Sequence, residues 1–246
     1  MSTDRRDDAN QVTTRLQPEH QAALSAYAAR AAWPDQFQIY ARGDLAEGVF
    51  VVASGRVVLR SHVRGARGFV PWIATAGETF GTEGMSPSGA YATDARADGH
   101  TETLFLSATQ LRAFVREQPV HMLALLGQIA AERTALLERL HEVTTLTVEA
   151  RLVAALPRLA MEDTADGRRR IEMGSATSRL LCEMIGATRE SVSLALSRLA
   201  GNGLVERDGQ TLYVASAVHF RLAAQRADVM LPRSVSKELE TTTHAR

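Results

Sequence analysis

Between Gln36 and Leu106 the apolar residues come in short runs: Phe37-Gln38-Ile39-Tyr40, Val49-Phe50-Val51-Val52, Val57-Val58-Leu59, Phe69 to Ile73, Tyr91 to Ala97 and Leu104-Phe105-Leu106. Gly43, Gly48, Gly55, Gly68, Gly77 and Gly81 fall around and between them. Short strands at such close spacing, separated by residues that turn without steric cost, predict an antiparallel barrel or roll. Ahead of it, the alanine-rich stretch Glu19 to Trp33, with Leu24, Tyr27 and Ala31, predicts a short helix that Pro34 ends. Residues 1–18 are polar and without period, which predicts a mobile arm. Ser107 is placed to cap a helix reaching about Gln118.

The period then changes. Pro119 stands where a first-turn proline belongs, and one long helix follows. Met122, Leu126, Ile129, Arg133, Leu136, Leu140 and Val143 alternate four and three apart, the spacing of a coiled-coil seam. The seam implies a homodimer; the other reading packs the same stripe on the chain's own roll. Arg133 interrupts it, and Leu123, Leu125 and Leu137 widen the apolar face. Thr144-Thr145 and Thr147 mark a hinge, after which helix resumes from Ala150 to Ala160 and a turn comes at Asp166-Gly167.

Ser178 to Ile185 predicts a short amphipathic helix, Gly186-Ala187-Thr188 a tight turn, and Arg189 to Ala200 a second helix with Val192, Leu196 and Leu199 on its buried face. Gly201-Asn202-Gly203 ends that helix, and Leu204 to Val214 reads as a hairpin about Asp208-Gly209, a wing. The fold class is therefore α+β: a mobile arm over 1–18, an antiparallel β-roll sensor domain with flanking helices over 19–118, a dimerisation helix over 119–145, a winged helix-turn-helix over 146–225 and a loose tail over 226–246.

The second helix carries the chemistry. Thr188 is its N-cap, and Arg189, Glu190 and Ser193 point away from the apolar face. Arginine pairs with guanine O6 and N7, and glutamate accepts from the cytosine amino group, so double-stranded DNA is the expected partner. Arg168-Arg169-Arg170 serves either as a phosphate clamp or as a solvated hairpin edge. A balance of 28 basic against 28 acidic residues argues against nucleic acid on average, yet every basic residue except Lys237 is arginine, the better group for bidentate contacts.

Composition excludes several alternatives. The single cysteine, Cys182, permits no intrachain disulfide and no multi-cysteine metal cluster within one chain, and inside the first helix of the pair it reads as a packing residue. His62, His100 and His121 read as surface or core residues rather than haem or metal ligands. No phosphate-binding Gly-Lys loop, paired-histidine motif or nucleophile elbow occurs, so neither a catalytic residue nor a cofactor is assigned and an enzyme is not expected. No apolar run is long enough for a bilayer, and Met1 to Asp8 lacks a signal peptide's apolar stretch, which places the protein in the cytoplasm, away from membranes.

With these residues in place the chain resembles, over about residues 20–220, the superfamily of the cyclic-AMP receptor protein and the fumarate–nitrate reduction regulator. Ile39, Gly43-Asp44, Ala46, Val49 to Val52, Gly55, Gly77 and Gly81 are similar to its cyclic-nucleotide-binding roll, and Gly186 to Val192 to the start of its recognition helix. The resemblance implies dimerisation through the long helix, a hinge at Thr145 to Thr147, and recognition helices in successive major grooves of a palindromic operator. It also implies a ligand pocket at Gly81, Thr82, Glu83, Tyr91, Ala92, Leu136 and Leu137.

That pocket departs from the cyclic-AMP-binding members. They carry a glutamate after the glycine and an Arg-Ser pair for the cyclic phosphate, where this chain has Thr82, Tyr91 and Ala92. Their Thr-Ser pair on the dimer helix is Leu136-Leu137. A buried phosphate without its arginine costs several kcal/mol, so cyclic-AMP control of the usual kind is not expected, although a one-residue shift of alignment would bring Glu83 and Arg96 into play. Leu194 stands where those members use an arginine for a further base contact. Two modes of control stay open: a regulator active without an effector, or a sensor in which a cyclic mononucleotide or dinucleotide switches DNA binding on or off. An activator would need RNA polymerase as a further partner.

Overall fold

The structure, a computed structural model, describes residues 15–62, 68–86, 88–160, 162–163 and 169–214. They fall into two compact units, one drawn from residues up to 62 and 71–137, the other from 68–70 and 138–214.

The first unit is built on two 14-residue strands, β3 (Gly48–Ser61) and β6 (Asp94–Ser107), paired antiparallel from Gly48 opposite Ser107 to Arg60 opposite Asp94. The sheet runs β1 (Ala29–Trp33), β6, β3, β4 (Phe69–Thr75), with β2 (Gln38–Tyr40) on β6 and β5 (Thr79–Phe80) on β3. A single turn of 3-10 helix (Thr82–Met85) follows β5. Val49, Phe50, Val51 and Val52 are buried without alternation, because one side lines the roll with Tyr40, Phe80 and Tyr91 while the other packs on Leu24, Leu104 and Phe114. Such a doubly covered strand reads as a continuous apolar run. Phe80 and Phe114 lose all exposure, each worth about 1.5–3 kcal/mol of burial.

Three expectations are corrected here. The helix expected over Glu19 to Trp33 stops early: α1 covers Pro18–Ser25, and Ala29–Trp33 is strand, held to β6 from Ala29 opposite Phe105 to Trp33 opposite Thr101. Residues 15–18 are not a loose arm. Leu16 is buried in the core, its N–H donates to the Gly77 carbonyl at 2.8 Å, and Gln21 Nε2 donates to its carbonyl; residues 1–14 lie outside the described residues. The separate runs at 49–52 and 57–59 are one strand, and Leu104 to Leu106 continues the strand begun at Asp94.

Ser107 opens α2 (Ala108–Glu117) with a reciprocal capping box to Gln110, and Pro119 opens the 27-residue α3 (Pro119–Thr145). In the second unit Thr147 caps α4 (Val148–Leu159) by accepting from the Ala150 N–H at 3.2 Å. Strands β7 (Glu162–Asp163) and β8 (Arg169–Glu172), helices α5 (Ser175–Ile185) and α6 (Arg189–Gly201), and strands β9 (Val205–Asp208) and β10 (Thr211–Val214) complete it. The four strands form an antiparallel sheet ordered β7-β8-β10-β9. Helix α5 begins three residues before the expected Ser178. The Asp166-Gly167 turn and the 226–246 tail lie outside the described residues.

Candidate nucleic-acid interface and sensor site

Helix α5 ends on Gly186, whose φ of +63° is a left-handed conformation that suits glycine, and the Ala187 N–H closes the turn onto the Cys182 carbonyl. Cys182 itself is buried. Arg151, reaching from α4, donates to the Ile185 carbonyl at 2.8 Å and satisfies an otherwise orphaned acceptor at the end of α5. Thr188 then caps α6, its Oγ1 accepting from the Ser191 N–H at 3.1 Å. The turn is therefore fixed from three sides before the second helix begins.

Val192, Ala195 and Leu199 are the buried face of α6. The opposite face leaves Arg189, Glu190, Ser193, Leu194 and Ser197 exposed on one surface. A guanidinium, a carboxylate and a hydroxyl presented together on the first turns of a helix suit base edges in a major groove. Arg198 stands at the margin of this surface, bound to Glu149 of α4 at 2.5 Å. Arg169 and Arg170 lie on another element, β8, opposite Val214 and Tyr213 of the wing, with Arg170 Nε 3.4 Å from a Glu172 oxygen. Arg168 lies outside the described residues.

In the first unit Gly81 is also left-handed, at φ +67°, and a side chain there would meet the Tyr91 ring at 3.0 Å. Tyr91 is buried, stacks on Tyr40 with centroids 3.7 Å apart, and donates its hydroxyl to the Gly48 carbonyl. Phe50 and Phe80 stack beside them at 4.9 Å. Burial pushes both tyrosine phenols up from their ordinary value of 10. Glu83 accepts from the Ala92 N–H at 3.0 Å, so Gly81, Thr82, Glu83, Tyr91 and Ala92 do come together around the 3-10 turn. Leu136 and Leu137 are exposed on α3. Arg96 is committed to the Gln36 carbonyl and the Gln38 side chain.

Two residues that sequence reasoning passed over belong to this region. Gln128 of α3 is buried and donates Nε2 to the Gly77 carbonyl at 3.2 Å, while its Oε1 has no partner. One helical turn on, Glu132 has an oxygen without a partner as well, and burial, then Glu83, then Glu78 raise its carboxyl to about 7. The signal was present as two polar residues four apart on the side of the helix that carries the buried Leu125 and Ala131.

Of the seamed residues on α3, Leu126, Arg133, Leu136 and Leu140 are exposed, and Met122, Ile129 and Val143 are partly covered within the single chain. Leu123, at 74% exposure, and Leu137 join them, so that Leu123, Leu126, Ala130, Arg133, Leu137 and Leu140 form an exposed series spaced three and four apart. His121 shares a 2.7 Å Nδ1 to Nδ1 hydrogen bond with His20, His62 pairs with Asp94, and His100 is exposed. Among the described residues no group of three or more His, Cys, Asp or Glu is placed to hold a metal, and no helix is long and apolar enough to cross a membrane.

Comparison with known proteins gives matches over both units. Residues 34–118 match the cyclic nucleotide-binding domain family and residues 150–216 the Crp-like helix-turn-helix domain family. The chain is 30% identical over 209 residues to the cyclic AMP receptor protein of Thermus thermophilus, covering 82% of this chain and 91% of that protein. Among solved structures it is similar to the c-di-GMP responsive global regulator CLP of Xanthomonas campestris, with a TM-score of 0.69, 20% identity and coverage of 81% and 100%. It is also similar to FixK2 of Bradyrhizobium japonicum, with a TM-score of 0.66, 19% identity and coverage of 80% and 96%.

Proposed function

Because the chain belongs to the Crp-Fnr superfamily of DNA-binding transcription regulators, which are not enzymes, we propose that it reads a palindromic operator as a homodimer and does so without cyclic AMP. The observation that carries the reading is the capped recognition helix, on which Thr188 fixes the start and Arg189, Glu190 and Ser193 share one exposed face. Arg189 takes guanine O6 and N7, Glu190 accepts from cytosine N4, and Ser193 reaches a neighbouring base or phosphate. Arg169 and Arg170, and Arg168 before them, contribute phosphate contacts that position the wing without selecting sequence. The exposed series on α3, with Met122, Ile129 and Val143 at its margin, is the surface for a second copy. Two recognition helices then meet successive major grooves one helical turn apart.

Independence from cyclic AMP is supported by the interior of the roll. Tyr40, Phe50, Phe80 and Tyr91 are buried together there, and the resemblance sets Tyr91, stacked on Tyr40, where the cyclic-AMP-binding members carry the phosphate-binding arginine. The carboxylates of Glu78 and Glu83 lie close enough to add to the effect of burial in raising the proton affinity of Glu132. An anionic phosphate brought among them would meet like charge in place of a cationic partner. The rival reading, a nucleotide sensor, draws on the relatives that are a cyclic AMP receptor and a c-di-GMP responsive regulator. In both readings the hinge at Thr145 to Thr147 couples α3 to the reading head, and a signal acts by shifting populations of two arrangements.

The test is selection of bound fragments from random DNA by the purified, ligand-free protein at near-physiological salt, repeated with R189A and E190A. A two-fold palindrome is expected, with each substitution costing about 1–3 kcal/mol and relaxing preference at one G·C position. Enrichment only after a nucleotide is added would favour the sensor, and no enrichment under either condition would contradict DNA reading.

A further inference from the structure

We infer that Leu194 reads the methyl group of a thymine in the major groove, so that each operator half-site carries a T·A pair at a fixed place beside the G·C pair read by Arg189 and Glu190. The inference rests on the DNA-binding reading above and adds to it the base recognised at a further position.

Leu194 is 56% exposed, and among the described residues it is the one large hydrophobic side chain exposed in the second unit beyond α3. The other exposed ones, from Phe37 to Leu140, all belong to the roll or to α3. A single exposed leucine on a protein surface calls for no explanation. This one, however, lies one turn beyond Glu190 and next to Ser193, opposite the buried Val192, Ala195 and Leu199, within the surface that meets base edges. Its side chain can neither donate nor accept a hydrogen bond, and it cannot pair with phosphate.

On the major-groove edges of the four bases the methyl on C5 of thymine is the apolar group. Contact between it and a leucine removes apolar surface of both from water. Contact with a cytosine, adenine or guanine edge would instead strip water from polar groups and leave them unpaired. Leu194 stands five positions after Arg189, about 7.5 Å along the helix, which corresponds to about two base-pair steps of duplex. The thymine therefore lies within about two base pairs of the guanine that Arg189 reads.

Full-length protein is used to select its operator, and each thymine of the half-site is then replaced singly by deoxyuridine, which removes the methyl and nothing else. Wild-type protein is expected to lose about fourfold in affinity per half-site at one thymine, the value of one buried methyl group. At that position 5-methylcytosine paired with guanine should bind more tightly than cytosine paired with guanine. L194A should bind thymine and uracil equally. A specific operator at which no uracil weakens binding, or an L194A protein that keeps the discrimination, would overturn the assignment while leaving the regulator reading intact. Failure of wild-type protein to select any operator would overturn both.

Discussion

Glu132 illustrates what one residue does to the roll. Its carboxyl is partly buried against the roll and near Glu83 and Glu78, and one oxygen has no partner, so its proton is held up to about 7 instead of the ordinary 4.5. A folded-state pKa raised in this way gives stability that is fully present below about pH 4.5 and lost as the pH rises through about 7. Glu132→Gln keeps the shape and removes the charge. The variant should melt higher than wild type at pH 8, by about 2–4 °C for each kcal/mol recovered, and close to wild type at pH 5. Thermal unfolding at the two pH values checks this, and an equal difference at both would contradict it. The polar pair Gln128 and Glu132 was visible in the sequence, but its meaning was not. Their burial depends on Gly77, Glu78 and Glu83, some 50 residues away, and no local pattern reports that approach.

At the scale of elements, the capped α6 carries the reading. Thr188 holds the Ser191 N–H, one of the orphaned donors at the helix start, and Ser191 Oγ lies 3.0 Å from the same hydroxyl. Thr188→Ala should cost about 1 kcal/mol of stability. It should also weaken operator binding, because Arg189 and Glu190 stand on the turn that loses its cap. Denaturant unfolding and a binding titration on the same protein check both; full affinity from a destabilised protein would contradict the link. The turn of the helix-turn-helix was legible because its signals are local: a left-handed glycine, a capping threonine and an apolar face at helical spacing. Ala29–Trp33 is strand although its alanine-rich sequence favours helix, because local propensity is a weak prior. Pairing with β6 about 70 residues away, including the Trp33 Nε1 hydrogen bond to Thr103, outweighs it. The stacking of Tyr40 on Tyr91 is not legible in the sequence for the same reason, since the rings are 51 residues apart in the chain and meet only when β2 lies along β6.

For the whole molecule the decisive surface is α3. The three-and-four spacing was legible in the sequence, while the edge left most exposed is turned slightly, toward Leu123 and Leu137, because Leu125, Gln128 and Ala131 are buried, Gln128 on the Gly77 carbonyl. That rotation is set by tertiary packing, which a repeat of apolar letters does not encode. Replacing Leu126 and Leu140 together by glutamate puts like charges on the proposed seam of both copies. Sedimentation should then show a folded monomer, and operator affinity should fall by about 100-fold or more as two linked half-sites become one. A double variant that stays dimeric would move the interface elsewhere.

The central claim is that the unliganded chain already reads its operator. The direct measurement is a titration of the selected operator with nucleotide-free protein at fixed salt, with and without saturating cyclic AMP. The account predicts a dissociation constant of about 10⁻⁸ M or tighter without ligand, and the same value within about twofold when cyclic AMP is present, far below the 5- to 150-fold of a typical allosteric coupling. Specific binding that emerges only on addition of cyclic AMP would contradict it.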